Sequence, residues 1–113
     1  MREENVKLVE AYIYSLKQKD LSLAPLAEDL YFEDPLAGKN NGAENLRAFL
    51  SGFLSAINDV RIHRHVCEGE YVTTHWEVDG VFGVVAIMEM FRIKDGKIAE
   101  AIGYFDPRPI IGG

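Results

Sequence analysis

Val60-Arg61-Ile62-His63-Arg64-His65-Val66-Cys67-Glu68-Gly69-Glu70-Tyr71-Val72-Thr73-Thr74-His75-Trp76-Glu77-Val78 is the stretch whose periodicity decides the fold. Val60, Ile62 and Val66 alternate with Arg61, His63 and His65, and Val72, Thr74, Trp76 and Val78 alternate with Thr73, His75, Glu77 and Asp79. Alternation of this kind marks strands with one buried face. Glu68-Gly69-Glu70 suits a three-residue hairpin that pairs Cys67 with Tyr71. That register sets Ile62 opposite Trp76, Val60 opposite Val78 and Arg61 opposite Glu77, so both faces are consistent.

Downstream, Asp79-Gly80 reads as a bend and Val81 to Ile93 as a long strand. Lys94-Asp95-Gly96-Lys97 is a hairpin turn, and Ile98 to Phe105 is the last strand, closed by Asp106-Pro107. The tail from Arg108 to Gly113 is expected to be loose. Upstream the period is helical. Leu46, Phe49, Leu50, Phe53, Leu54 and Ile57 form one wide apolar stripe, which predicts a long helix packed on the sheet. Gly38 to Gly42 reads as a loop. Leu30-Tyr31-Phe32-Glu33-Asp34-Pro35 reads as a short strand entering a turn, because Pro35 pushes Asp34 toward an extended conformation. Asp20 to Ala27 predicts a turn and a short helix capped by Ser22, with Pro25 in its first turn. Val6, Val9, Ile13 and Leu16, with Tyr12 on the same face, predict a first helix from Glu4 to Lys19.

Helices thus precede a four-strand meander, and the class is α+β. A curved antiparallel sheet around the long helix makes a cone with an open end, where a cavity belongs. The 113 residues fit one domain, spanning 1–113. Apolar residues make up 48% and charged residues 27%, an ordinary globular balance, and the net charge of −6 argues against a nucleic-acid groove. The single Cys67 excludes an internal disulfide framework. The charged N-terminus has no apolar run behind it, and no stretch approaches the roughly 18 residues of a membrane span. These features predict a cytoplasmic protein with no membrane or nucleic-acid partner.

Asp34, held where an apolar strand ends, is the candidate proton acceptor. Apolar walls raise a carboxyl pKa by disfavouring the charged form, and Phe32, Phe49, Phe53, Trp76 and Phe91 are the candidate walls and substrate contacts. Tyr12 offers a hydroxyl donor, and Glu89 offers a second one if burial among Ile87, Met88 and Phe91 keeps it protonated. Asp106 is a rival acid, with a turn role before Pro107 as the alternative. His63, His65 and His75 are placed together on the polar outer face, a surface that suits a homodimer contact better than a metal. The chemistry requires neither a metal nor a cofactor.

The order of elements from Val6 to Asp106 resembles the cone-shaped superfamily of ketosteroid isomerase, the SnoaL-type polyketide cyclases and nuclear transport factor 2. Glu33-Asp34-Pro35-Leu36, followed by Gly42 and a helix with Arg47 and Phe49, is similar to the isomerase segment bearing the catalytic base. Tyr12, with Leu16 and Asp20-Leu21 after it, is similar to that family's oxyanion-hole tyrosine. Val84 to Arg92 resembles the strand of its second donor, an Asp kept protonated, and Glu89 falls at that position. Asp95 to Glu100 with Tyr104-Phe105-Asp106 resembles the cyclases, whose acid near this end takes part in acid–base work. The resemblance implies a cofactor-independent isomerase or cyclase, of the steroid delta-isomerase or polyketide cyclase type. Such an enzyme removes a proton alpha to a carbonyl of a small hydrophobic substrate. Two alternatives stand beside it, a non-catalytic ligand-binding or dimerisation domain and an epoxide hydrolase-like enzyme.

Overall fold

The computed structural model of the chain describes residues 2–112. The chain runs α1 (Arg2–Gln18), β1 (Leu26–Asp34), β2 (Gly38–Asn41), α2 (Ala43–Ser51), β3 (Ile57–Glu68), β4 (Tyr71–Gly80), β5 (Gly83–Lys94), β6 (Lys97–Tyr104) and α3 (Arg108–Ile111), with 3₁₀ turns at Leu21–Leu23 and Leu54–Ala56. The strands form one curved sheet in the order β2-β1-β6-β5-β4-β3. All neighbours are antiparallel except β1 and β6, which run parallel and bring the first strand beside the last.

The helix that the sheet curves around is α1. Its face of Val9, Tyr12, Ile13 and Leu16 is buried against β3, β4 and β6. Glu3 and Glu4 in the first turn and Lys17 in the last suit the helix dipole. Lys19, with a φ of 57°, turns the chain out of the helix, and its ammonium donates to the Leu54 and Ile57 carbonyls. This ties the end of α1 to the chain leading into β3.

The helix expected from Leu46 to Ile57 is cut short. α2 ends at Ser51, because Gly52 and the tight Leu54–Ala56 turn give the chain a new direction before β3. The apolar stripe therefore does not pack flat on the sheet. Leu46 is buried, whereas Phe49, Leu50, Phe53 and Leu54 remain half-buried. The short helix expected with Ser22 as cap is a single 3₁₀ turn capped by Asp20, whose carboxylate accepts from the Ser22 amide. Pro25 follows that turn, and β1 begins earlier than expected, at Leu26. Part of the expected Gly38–Gly42 loop is the short strand β2, which pairs back on β1 from Asp34↔Gly38 to Tyr31↔Asn41.

The β3–β4 hairpin turns on two residues, Gly69-Glu70, with Glu68 facing Tyr71 and Cys67 facing Val72. The expected three-residue turn is replaced, yet Ile62↔Trp76, Val60↔Val78 and Arg61↔Glu77 all form. A bulge at His63 reconciles the two ends of the ladder. It also separates the histidines. His63 and His75 stack on the outer face with ring centres 4.8 Å apart. His65 faces inward, bonded to Thr74 Oγ1 at 2.8 Å and to Glu10 at 3.1 Å. Among the described residues no three His, Cys, Asp or Glu are arranged to hold a metal ion. The Lys94–Lys97 turn forms as expected, with both Asp95 and Gly96 at positive φ. The tail expected to be loose carries α3 up to Ile111, and Gly113 lies outside the described residues. None of the described helices is long and apolar enough to cross a membrane.

Candidate active site

Each site residue is placed by strand phase or helix face. On β5 the inward phase is Val85, Ile87, Glu89, Phe91 and Ile93, so Glu89 is a carboxyl in an otherwise apolar row. On β4 the inward phase is Val72, Thr74, Trp76 and Val78. Tyr12 projects from the buried face of α1. Asp34 ends β1, where its Oδ1 accepts from the Leu36 and Ala37 amides, both at 2.7 Å. That pair of bonds closes the turn through Pro35 and leaves Oδ2 without a partner among the described residues.

Tyr12, Asp34 and Glu89 all line one cleft of ≈ 620 Å³, measured with its open mouth. Phe49, Leu50, Phe53 and Ile57 supply one wall, and Trp76, Val78 and Ile87 line it from β4 and β5. Phe82, Phe105 and Ile110 complete the lining, and no Lys, Arg or His is among the described lining residues. The cleft exists because the chain after Ser51 bends away instead of continuing flat over the sheet.

Glu89 is only 8% exposed, and its Oε1 accepts from Trp76 Nε1 at 3.2 Å. Burial pushes its carboxyl up to about 8; the indole bond opposes this and the nearby Asp34 charge adds to it. Burial, then Glu89, then Asp34 hold the Tyr12 hydroxyl well above the ordinary tyrosine range. Both shifts favour the protonated form at neutral pH. The Tyr12 hydroxyl and Glu89 Oε2 have no hydrogen-bond partner among the described residues, and neither is a sealed, unpaired atom, so both open to the cleft. Phe91 meets Tyr12 edge-on with ring centres 5.5 Å apart and braces the ring from behind.

Of the expected walls, Phe49, Phe53 and Trp76 line the cleft. Phe32 and Phe91 do not; they are 2% and 0% exposed and belong to the core. Asp106 stands apart from the other acids. Its carboxylate is paired with the Arg108 guanidinium at 2.6 Å, which together with the Arg108 amide holds it down to about 2. It accepts from the Arg108 amide at 3.0 Å just before α3 and does not line the cleft.

Sequence reading missed Phe82, Phe105 and Gly103. Phe82 follows Gly80, where a Cβ would lie 2.6 Å from the Phe82 ring and 2.7 Å from the Ala56 carbonyl. Only glycine there lets Phe82 fold back over the end of β4. Gly103 faces Glu89 across β5 and β6, with its missing Cβ 3.6 Å from the Glu89 carboxyl.

A curved six-stranded sheet packed around a helix is the fold of the NTF2-like proteins. The chain belongs to the SnoaL-like domain family, whose model matches residues 9–101. No curated protein matches it significantly. Solved structures with the same fold are diverse. An LEH-like epoxide hydrolase from M. tuberculosis is 24% identical with a TM-score of 0.77, over 97% of this chain and 88% of that one. A protein from Kribbella flavida assigned provisionally as a ketosteroid isomerase is 16% identical with a TM-score of 0.80, over 92% and 78%. A de novo designed protein with a curved β-sheet is 24% identical with a TM-score of 0.83, over 96% and 89%. At these identities the likeness establishes the fold, and the site must carry the function.

Proposed function

We propose that this chain is a cofactor-independent acid–base enzyme that removes a proton alpha to a carbonyl of a small, neutral, hydrophobic substrate. Asp34 Oδ2 takes the proton. The electron pair of the broken C–H bond moves into the enolate, whose oxygen accepts hydrogen bonds from Tyr12 and from protonated Glu89. Return of the proton to a different carbon gives an isomerisation. Attack of the enolate on a second carbonyl gives an aldol-type cyclisation.

The observation that carries this reading is one apolar cleft lined by Asp34, whose Oδ2 has no partner among the described residues, and by buried Tyr12 and Glu89, whose burial favours their protonated forms. Charge supports the neutral substrate. A carboxylate ligand would meet Asp34 with no cationic side chain lining the cleft to offset it. Epoxide opening is less well supported, because Arg92, the arginine nearest Glu89 in sequence, pairs with Glu70 and Glu100 instead of lining the cleft.

The test is alpha-proton exchange. Neutral cyclic and aromatic ketones are incubated with the protein in D₂O, and loss of the alpha-proton signal is followed by NMR. Catalysed exchange is expected, with Asp34→Asn slower by at least about 10²-fold, the usual contribution of a general base. Equal exchange by the Asn variant would remove Asp34 from the chemistry and favour a binding domain in which Asp34 only caps its turn.

A further inference from the structure

Glu89 has two oxygens, and a neutral carboxyl carries one proton. Which oxygen holds it decides whether the group can donate into the cleft at all. The indole N–H of Trp76 is a donor only. It points at Oε1 from 3.2 Å inside a buried pair, Trp76 being 4% and Glu89 8% exposed. An oxygen already receiving a hydrogen bond is best as the carbonyl-type acceptor, so the proton belongs on Oε2. Gly103 on β6 lies opposite Glu89, and a Cβ there would meet Glu89 Cγ, Cδ and Oε2 at 3.6 Å, an ordinary packing contact that provides no hydrogen-bond partner for Oε2. Strands β4 and β5 thus contribute a donor and an acid side by side in the sheet.

We propose that Trp76 is a positioning residue that, by occupying Oε1, confines the proton of Glu89 to Oε2 and so directs it into the cleft that both residues line. This rests on the reading of Glu89 as a neutral donor and adds what gives the donor its direction. Without the indole the proton is shared between both oxygens, and the group donates in either of two directions. The indole bond also favours the ionised carboxylate, so its removal makes Glu89 a weaker acid.

Three measurements test this with no substrate. The protonated Glu89 carbonyl stretch is isolated by infrared difference between the wild type and Glu89→Gln at pH 6. In Trp76→Phe the band is expected to move to higher wavenumber. The acidity constant of Glu89, followed by ¹³C NMR of the labelled carboxyl, is expected to fall about tenfold, the value of one hydrogen bond to a charged group. Trp76 is the only tryptophan, so in the intact protein its indole N–H cross-peak needs no assignment. That peak is expected to shift with the same midpoint as Glu89 and to stand still in Glu89→Gln, a readout that stands even if Trp76→Phe does not fold. Absence of any protonated Glu89 band would overturn the donor reading and this proposal with it. A protonated band present in the wild type, with an indole peak that ignores the titration, would overturn this proposal alone.

Discussion

Replacing Glu89 by Gln isolates what burying this carboxyl does to stability. Gln keeps the shape and an oxygen for the Trp76 indole, but it does not titrate. The folded carboxyl ionises at about 8 and the ordinary value is 4.5. Below 4.5 both folded and unfolded chains hold the proton, and this site contributes its full stability. As pH rises past 4.5 the unfolded chain releases the proton while the folded chain keeps it. Stability then falls by about 1.4 kcal/mol per pH unit until the folded group ionises too. Over the whole window the loss is roughly 5 kcal/mol. That is a third or more of the net stability of many domains, which lies at about 5–15 kcal/mol.

The assay is urea unfolding by far-ultraviolet circular dichroism at pH 5, 6, 7 and 8, for wild type and Glu89→Gln in parallel. Other titrating groups act on both proteins and cancel in the difference. Relative to the variant, the wild type is expected to lose on the order of 2 M in midpoint between pH 5 and pH 8, for an ordinary denaturant slope. A midpoint difference that stays constant across those four values would refute the reasoning. It would mean that Glu89 ionises in the folded protein as it does in the unfolded one, and that the cleft holds no neutral acid at pH 7.

Gly80→Ala should destabilise by about 1–3 kcal/mol, the range for overpacking, because the Ala56 carbonyl cannot retreat while it holds the Val81 amide at 2.9 Å. An unfolding midpoint equal to the wild type's would count against that contact. On the outer sheet face Val84, Met88 and Tyr104 are 51%, 48% and 64% exposed, with Met88 and Tyr104 paired in register. A homodimer through this apolar band is expected, and Met88→Asp with Tyr104→Asp should sediment as a monomer with an unchanged dichroism spectrum. A wild type that is itself monomeric at high micromolar concentration would exclude the interface.

Strand phase was the most legible feature of the sequence. The inward row on β4 is the row that alternation picks out, and Glu89 was readable as the charged member of an apolar phase on β5. Tyr12 was legible from the spacing of its helix neighbours. What the sequence hid was geometry that no period records. The His63 bulge turns His65 inward because a one-residue shift exchanges the two faces of a strand. Gly52 and the turn after it end α2 early, so the stripe does not pack flat on the sheet as one long helix, while Phe49 and Phe53 line the cleft as the walls they were expected to be. Phe32 shares the strand phase of Asp34 but lies in the core, since phase gives a side chain's face and not its depth. The pairing of Asp106 with Arg108 was hidden for a plainer reason: a two-residue spacing across Pro107 permits either a free acid or one paired within its own turn.

The energetics of Glu89 bear on whether the cleft catalyses or only binds. A cavity that merely held an apolar molecule would gain nothing from a carboxyl at this position. Gln would fill the same volume, keep the indole bond and avoid the loss of roughly 5 kcal/mol above pH 8. A carboxyl held neutral by burial does one thing that Gln cannot: it offers an O–H whose acidity is matched to the oxygen of an enolate forming beside it. Asp34 supplies the other half. Its Oδ1 is committed to the Leu36 and Ala37 amides while Oδ2 has no partner among the described residues, so the turn that holds the proposed base in place leaves one oxygen uncommitted in a residue that lines the cleft. A Glu89 carboxyl raised by burial, set in the same cleft as Asp34 with its uncommitted Oδ2, is the arrangement on which the proposed proton transfer to and from carbon rests.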